Sequence, residues 1–331
     1  MDHKDFSGGL PEDAPLVALR RGALVESVHR GRVAVCDPQG NVVEAIGDPE
    51  GYVYARSSAK PFQALPLVLS GAADALGLTG DELAVACASH NGEEQHLKAV
   101  RSILEKAGLS EEDLQNGAHP PLYPPAAMEL VRRGEEPATI HGNCSGKHAG
   151  MLAVCLQNGW ATGGYRAPGH PLQLWILELV GRACGLETDE ILLGGDGCGV
   201  PTFGMPLKNL ATGFARLAAG ALPDDLAGAA ERVTGAMCEH PYMVGGTERF
   251  DTAVMGATDL VCKSGAEIVF GAGSPEGWGL ALKISDGGTR GLRPAALAVL
   301  SARGVEVPGE PESSPVRDLH GEVVGERAPL F

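Results

Sequence analysis

At 331 residues, 44% of them apolar, the chain is long enough for one large or two modest domains with a substantial core. Its 42 acidic and 26 basic residues leave a net charge of -16, which repels nucleic-acid phosphates and anionic membrane surfaces, and no Lys/Arg cluster offsets it locally. Neither nucleic acid nor membrane is expected as a partner, and no uninterrupted apolar run approaches the ~18 residues of a membrane span.

The opening MDHKDFSGGLPEDAP is polar and acidic without an apolar leader core, so residues 1–14 read as a flexible tail. GALVESVH, GRVAVCD and NVVEAIG are short β-rich runs, the last two divided by the turn signal DPQG, and predict an N-terminal antiparallel meander. A helical block follows. AKPFQALPLVLSGAADALG carries Pro61 in its first turn and Pro66 inside, where a kink is expected. GEEQHLKAVRSILEKAGL, HAGMLAVCLQNG, HPLQLWILELVGRACG, MPLKNLATGFARLAAG and DDLAGAAERVTGAMCEHP repeat apolar residues three and four apart. DLVCKSG, AEIVFGAG and GLALKISDGG then read as strands with Gly-rich turns, and RPAALAVLSARG as a helix.

Strands at both ends around a helical middle predict an α+β fold: one antiparallel sheet assembled from the two chain ends, helices packed on it, and a helical lobe beside it. Residues 15–306 read as a single two-lobed domain, and 307–331 as a Pro/Glu-rich end that is only partly packed. The eight cysteines, several inside apolar runs such as LAVACAS and MLAVCLQ, read as buried free thiols of a reducing, cytoplasmic setting.

RSSAKPFQ places Ser57 and Lys60 one helical turn apart at a helix start, a spacing that gives a hydroxyl a built-in base. ASHNGEE supplies Ser89, His90 and Asn91, and CKSGAE supplies Lys263 and Ser264 on a C-terminal strand. In order, these partly match the S-x-x-K, S-D-N and K-T-G trio of penicillin-recognising serine acyltransferases. A lysine serves as base only when burial or another cation depresses its pKa, and two lysines facing one cleft would do so. The expected couples are Ser57 with Lys60 and Ser89 with Lys263, with the Ser57 N–H as oxyanion donor. Each motif also has a plainer reading: a surface helix start capped by Ser58, an Asx-type turn at Ser89 to Asn91, a solvated edge-strand lysine at Lys263.

GNCSGKHAGM, with Cys144, Lys147 and His148, and GGDGCGVP, with Asp196 and Cys198, are Gly-rich loops that can approach a ligand closely. The two thiols could form half of a zinc site, although no C-x-x-C or H-x-x-x-H spacing is present; SGKHAG could equally be a carboxylate-binding helix start.

Together, RSSAKPFQ, SHNGE, HGNCSGKHAGML, GHP, DGCGVPTF, GTERFDT, KSGAEIVF and GLALKISDG resemble the asparaginase II family, the Rhizobium etli type also called class 3 L-asparaginases, from about Ala18 to Arg303. The resemblance implies a serine β-lactamase/glutaminase-like fold, a homodimer, and hydrolysis of L-asparagine to L-aspartate and ammonia. It also implies catalytic Ser57, Lys60, Ser89 and Lys263, a substrate held by Arg56, Asn91, His148 and Gly271, and Zn2+ on Cys144, Lys147 and Cys198 with Asp196 close by. Two competing readings keep the same residues: an acyltransferase acting on β-lactams or peptides, and a non-catalytic zinc-dependent amino-acid binding protein.

Overall fold

The computed structural model describes residues 11–331; most of the expected tail lies outside the described residues, and Ala14 already opens a strand. β1 (Ala14–Arg21), β2 (Leu24–Cys36), β3 (Val42–Ile46), β7 (Val261–Gly265), β8 (Val269–Ser274), β9 (Trp278–Ile284), β10 (Ser314–Arg317) and β11 (Val323–Pro329) form one sheet. Its order is β10-β11-β1-β2-β9-β8-β7, with β3 also paired to β2 and every pairing antiparallel. The α+β class and the sheet built from both chain ends are therefore as expected. A smaller sheet has the order β4-β6-β5, from β4 (Tyr52–Tyr54), β5 (Leu192–Gly195) and β6 (Pro201–Pro206).

The N-terminal meander differs in one respect. GALVESVH and GRVAVCD are not two strands but one, the 13-residue β2. Gly31 does not turn the chain; it lies opposite Ile284, and a Cβ there would sit 2.0 Å from the Lys283 carbonyl oxygen. A glycine inside a strand here permits close backbone approach. At the other end, β10 and β11 lie within the Pro/Glu-rich segment and both join the main sheet, β11 pairing with β1 from Val17 opposite Pro329 to Arg21 opposite Gly325.

Leu207–Ala218 is the helix that seals the sheet. Gly271, Gly273 and Gly279 on β8 and β9 leave room for it: added Cβ atoms would meet a Phe214 ring carbon, the Phe214 carbonyl and the Ala211 carbonyl at 2.0, 2.1 and 2.1 Å. The run after Lys60 breaks into Lys60–Gln63, Leu65–Leu69 and Ala72–Ala75, as Pro66 removes an N–H from the ladder. Helices Gly80–Ala86, Glu94–Lys106, Ser145–Gln157, Pro171–Cys184 and Asp224–Glu239 fill the middle around a continuous apolar core.

Candidate active site

The turn after β4, the segment after helix Gly80–Ala86, the start of helix Ser145–Gln157 and the β5–β6 loop converge near the end of β7. A cavity of about 240 Å³ opens between them, lined by Arg56, Ser57, Cys144, Asp196 and Cys198 among others. Arg56 has φ 48°, a left-handed conformation that costs free energy in any residue but glycine and is kept where its surroundings enforce it. The surroundings are specific: the Arg56 N–H donates to Thr202 Oγ1 at 3.2 Å and its Nε to Asp196 Oδ1 at 2.8 Å. Ser57 follows in a tight 3-10 turn, Arg56–Ala59. Ser58 does not cap the next helix; its hydroxyl donates to the Ala55 carbonyl at 2.5 Å.

Lys60 is fully buried. Its Nζ donates to the Ala88 carbonyl, to Ser89 Oγ at 2.8 Å and to Cys144 Sγ at 3.2 Å. The expected couples are thus re-partnered. Lys60 holds Ser89 rather than Ser57, because its stem runs inward to the end of helix Gly80–Ala86 while Ser57 stays at the cavity wall. Lys263 does not hold Ser89: its Nζ donates to Asp251 Oδ2 at 2.7 Å and to the Ser264 carbonyl at 2.8 Å. Asp251, on helix Phe250–Ala257, also accepts the Ser264 N–H and hydroxyl, so the ion pair is buried with its oxygens occupied.

Burial is the main reason that the Lys60 pKa falls to about 8; Cys144 opposes it, and Lys147 and Lys263 add to it. Repulsion between two lysines, expected to be the cause, is a lesser one. Burial would raise the Asp251 carboxyl, but Lys263, Arg249 and the hydrogen bonds from Lys263 and Ser264 outweigh it and hold it below its ordinary value.

Cys144 and Cys198, 54 positions apart in sequence, line the same cavity; the neighbouring Cys198 is the main reason that the Cys144 thiol lies well below its ordinary value, and Cys144 together with burial raises that of Cys198. Lys147 Nζ donates to Cys198 Sγ at 3.1 Å, and although burial works against its charge, the two cysteines and Asp196 keep it protonated. Asp196 Oδ2 lies 3.8 Å from the Cys198 sulfur. Among the described residues no group of three His, Cys, Asp or Glu side chains gathers as a metal site; what gathers is two thiols and one amine with a carboxylate beside them. The two thiols and the carboxylate are donors that a borderline-soft cation such as Zn2+ accepts, and Lys147 would join them only on losing its proton.

Of the four residues expected to hold substrate, Arg56 lines the cavity and the others do not. Asn91 is buried, its amide donating to Glu93 Oε1 and the Thr247 carbonyl, which ties two loops together. His148 is fully buried, hydrogen-bonded to Tyr165. Gly271 is paired with Lys263 and lies against the Phe214 ring. Conversely, Asn116, His119 and Asn143 line the cavity and were not singled out. His119 Nδ1 donates to the Pro120 carbonyl at 2.7 Å and Nε2 accepts the Asn143 N–H at 2.9 Å, fixing the wall beside Cys144. Asn143 stands next to Cys144 and Asp251 lies within GTERFDT, both in stretches whose pattern is legible; QNGAHPP, with Asn116 and His119, carries no such signal.

The sequence pattern of the L-asparaginase II family matches residues 17–329. No curated protein sequence matches significantly. Among solved structures, Mglu in its native form is 13% identical over 92% of this chain and 71% of its own, with TM-score 0.40. Mglu in its L-glutamate binding form is 16% identical over 91% of this chain and 65% of its own, with TM-score 0.40. A beta-lactamase from Mycobacterium bovis is 11% identical over 82% and 94%, with TM-score 0.38. Among the described residues no helix is long and apolar enough to cross a membrane.

Proposed function

Because the chain belongs to the L-asparaginase II family, we propose that it is an amidohydrolase converting L-asparagine and water to L-aspartate and ammonia through an acyl-serine intermediate. The observation that carries the reading is a buried amine, its pKa lowered to about 8, bonded to a serine hydroxyl and to Cys144 in the wall of a small cavity that also presents a second serine.

Ser57 Oγ attacks the side-chain amide carbon, and its proton passes to the neutral Lys60 amine, which Ser89 already engages. Backbone N–H groups at the Ser57 turn hold the oxyanion. Lys60 returns the proton to the departing nitrogen, the C–N bond breaks, and ammonia leaves a β-aspartyl ester on Ser57. Water, deprotonated by Lys60, cleaves that ester, and the proton restores the Ser57 hydroxyl. Lys263 keeps a positive charge near the site without taking part in proton transfer, since Asp251 holds it. Arg56, fixed by Asp196, is the cation for the substrate's α-carboxylate.

Zn2+ belongs to the same proposal, held by Cys144, Lys147 and Cys198 with Asp196 beside them. When bound it supplies a fixed positive charge in the cavity wall. The side chains themselves shape that wall and set the thiolate that faces Lys60.

One observation favours a variant: the 2.8 Å bond from Lys60 to Ser89 makes Ser89 the alternative nucleophile. Mapping the acylated serine by mass spectrometry after trapping with a slow amide analogue separates the two. The overall reading is tested by an ammonia-coupled assay on L-asparagine and L-glutamine, with and without zinc, alongside nitrocefin. Release of ammonia from asparagine supports it. Asparagine binding without ammonia over roughly pH 6 to 10 points instead to an amino-acid sensor, and nitrocefin cleavage alone to a β-lactam acyltransferase.

A further inference from the structure

His90 follows Ser89 in the chain, yet it lines no part of the cavity and is fully buried. Both of its ring nitrogens are occupied. Nδ1 receives the Gly92 N–H at 3.1 Å, and a backbone N–H can only donate, so Nδ1 carries no hydrogen and the ring hydrogen sits on Nε2. That N–H donates to Ser145 Oγ at 2.9 Å, and the Ser145 hydroxyl passes its own hydrogen to the Ile140 carbonyl at 2.9 Å. The imidazole is stacked on His96, centroids 5.1 Å apart, and His96 on Tyr242 at 4.9 Å, which holds its plane.

The partners of His90 bracket Cys144. Its side chain reaches Ser145, and its own N–H donates to the Asn143 carbonyl at 3.1 Å. Cys144 and Ser89 are two of the three groups that hold the Lys60 amine, at 3.2 and 2.8 Å, and the third, the Ala88 carbonyl, comes just before Ser89. The place of that amine is therefore set by two segments distant in sequence, and His90 ties one to the other. We infer that His90 is a positioning residue: by binding the segment of Ala88 and Ser89 to the turn of Cys144, it fixes where the Lys60 amine stands relative to Ser57 and the substrate. The inference rests on the amidohydrolase reading, in which Lys60 handles the proton, and gives His90 no contact with substrate.

The test compares wild type, His90→Phe, His90→Gln, Ser145→Ala and the double variant His90→Phe with Ser145→Ala, all in the full chain, with melting curves to establish folding. Ammonia release gives kcat and KM for L-asparagine, and amide hydrogen exchange reads residues 88–92 and 139–145 independently of turnover. Misplacing a reacting group by ~1 Å costs about 10²-fold, so His90→Phe should lower kcat by that order and leave KM within about twofold. His90→Gln, whose amide N–H can reach Ser145 Oγ, should recover most of kcat. Ser145→Ala should repeat the loss, and the double variant should be no worse than the poorer single one, because both substitutions cut the same tie. Exchange in both segments should quicken about tenfold in His90→Phe and in Ser145→Ala. A role in stability alone would lower the melting temperature without moving kcat. A folded His90→Phe with wild-type kcat overturns the inference, as do losses that multiply in the double variant or unchanged exchange in residues 139–145. Should His90→Phe not fold, Ser145→Ala decides by the same two readouts. A wild type that releases no ammonia removes the amidohydrolase reading; the tie is then judged by exchange alone, and quicker exchange in residues 139–145 leaves it standing.

Discussion

Lys60 Nζ lies 2.8 Å from Ser89 Oγ with both side chains shut off from solvent, while Ser57, three residues before Lys60, faces the cavity. The hydroxyl that holds the base and the hydroxyl that meets the substrate are therefore different ones. Removing them should have unequal effects. Ser57→Ala should abolish ammonia release, by about 10⁴-fold or more in kcat, and Ser89→Ala should lower kcat by about 10²-fold, the usual scale for a proton-handling group. Both should melt near wild type. A Ser57→Ala variant that keeps activity, with Ser89→Ala inactive, transfers the nucleophile role to Ser89.

The pH profile follows from the same amine. Burial brings Lys60 down to about 8, so its neutral, base-competent form gains population as the pH rises through that value. The kcat/KM for asparagine should climb on the acid side of a limb centred near 8. A profile flat from pH 6 to about 9 would remove Lys60 as the base.

Lys263 and Asp251 form a pair with neither side chain open to water. Removing one partner strands a buried charge, so Asp251→Ala should destabilise by about 3–5 kcal/mol, and Asp251→Leu combined with Lys263→Met should recover much of that loss. Urea unfolding measures both. The Asp251 carboxyl is held below its ordinary value of 3.8, so its contribution is complete above that pH and lost as the pH falls below it through the depressed native value. Acid should therefore shift the wild-type urea midpoint more steeply in that window than the midpoint of the double variant.

Local patterns were readable because their cause is local. In helix Glu94–Lys106 the buried Leu97, Val100, Ile103 and Leu104 recur at helical spacing, and the apolar β8 and β9 stand between Gly-rich turns. Helix Pro124–Arg132 escapes the pattern because it is nine residues long, opens on two prolines and buries Leu130 alone. Partners brought together by the fold were not readable. Lys263 meets Asp251 because β7 packs on helix Phe250–Ala257, and β11 joins β1 through backbone pairing that VVGERAP, with Glu326 and Arg327 at its centre and no alternation, does not announce. Cys144 and Cys198 reach the same cavity from two separate loops, a meeting that spacing alone leaves open.

Gly271 separates a packing role from a binding role. An alanine Cβ there would fall 2.0 Å from Phe214 Cε2 and 2.4 Å from Cδ2, and the ring is braced by the edge of Phe62 with centroids 5.5 Å apart. Helix Leu207–Ala218 would have to lift off β8, or Phe214 to leave its rotamer, at a cost of about 1–3 kcal/mol. Gly271→Ala should accordingly lower the urea midpoint while leaving the KM for asparagine close to wild type. Phe214→Leu in the same chain should restore part of the stability by vacating the space that the new methyl needs. A Gly271→Ala variant of unchanged stability whose KM rises tenfold would instead place that backbone against the substrate, and helix packing would no longer explain the glycine.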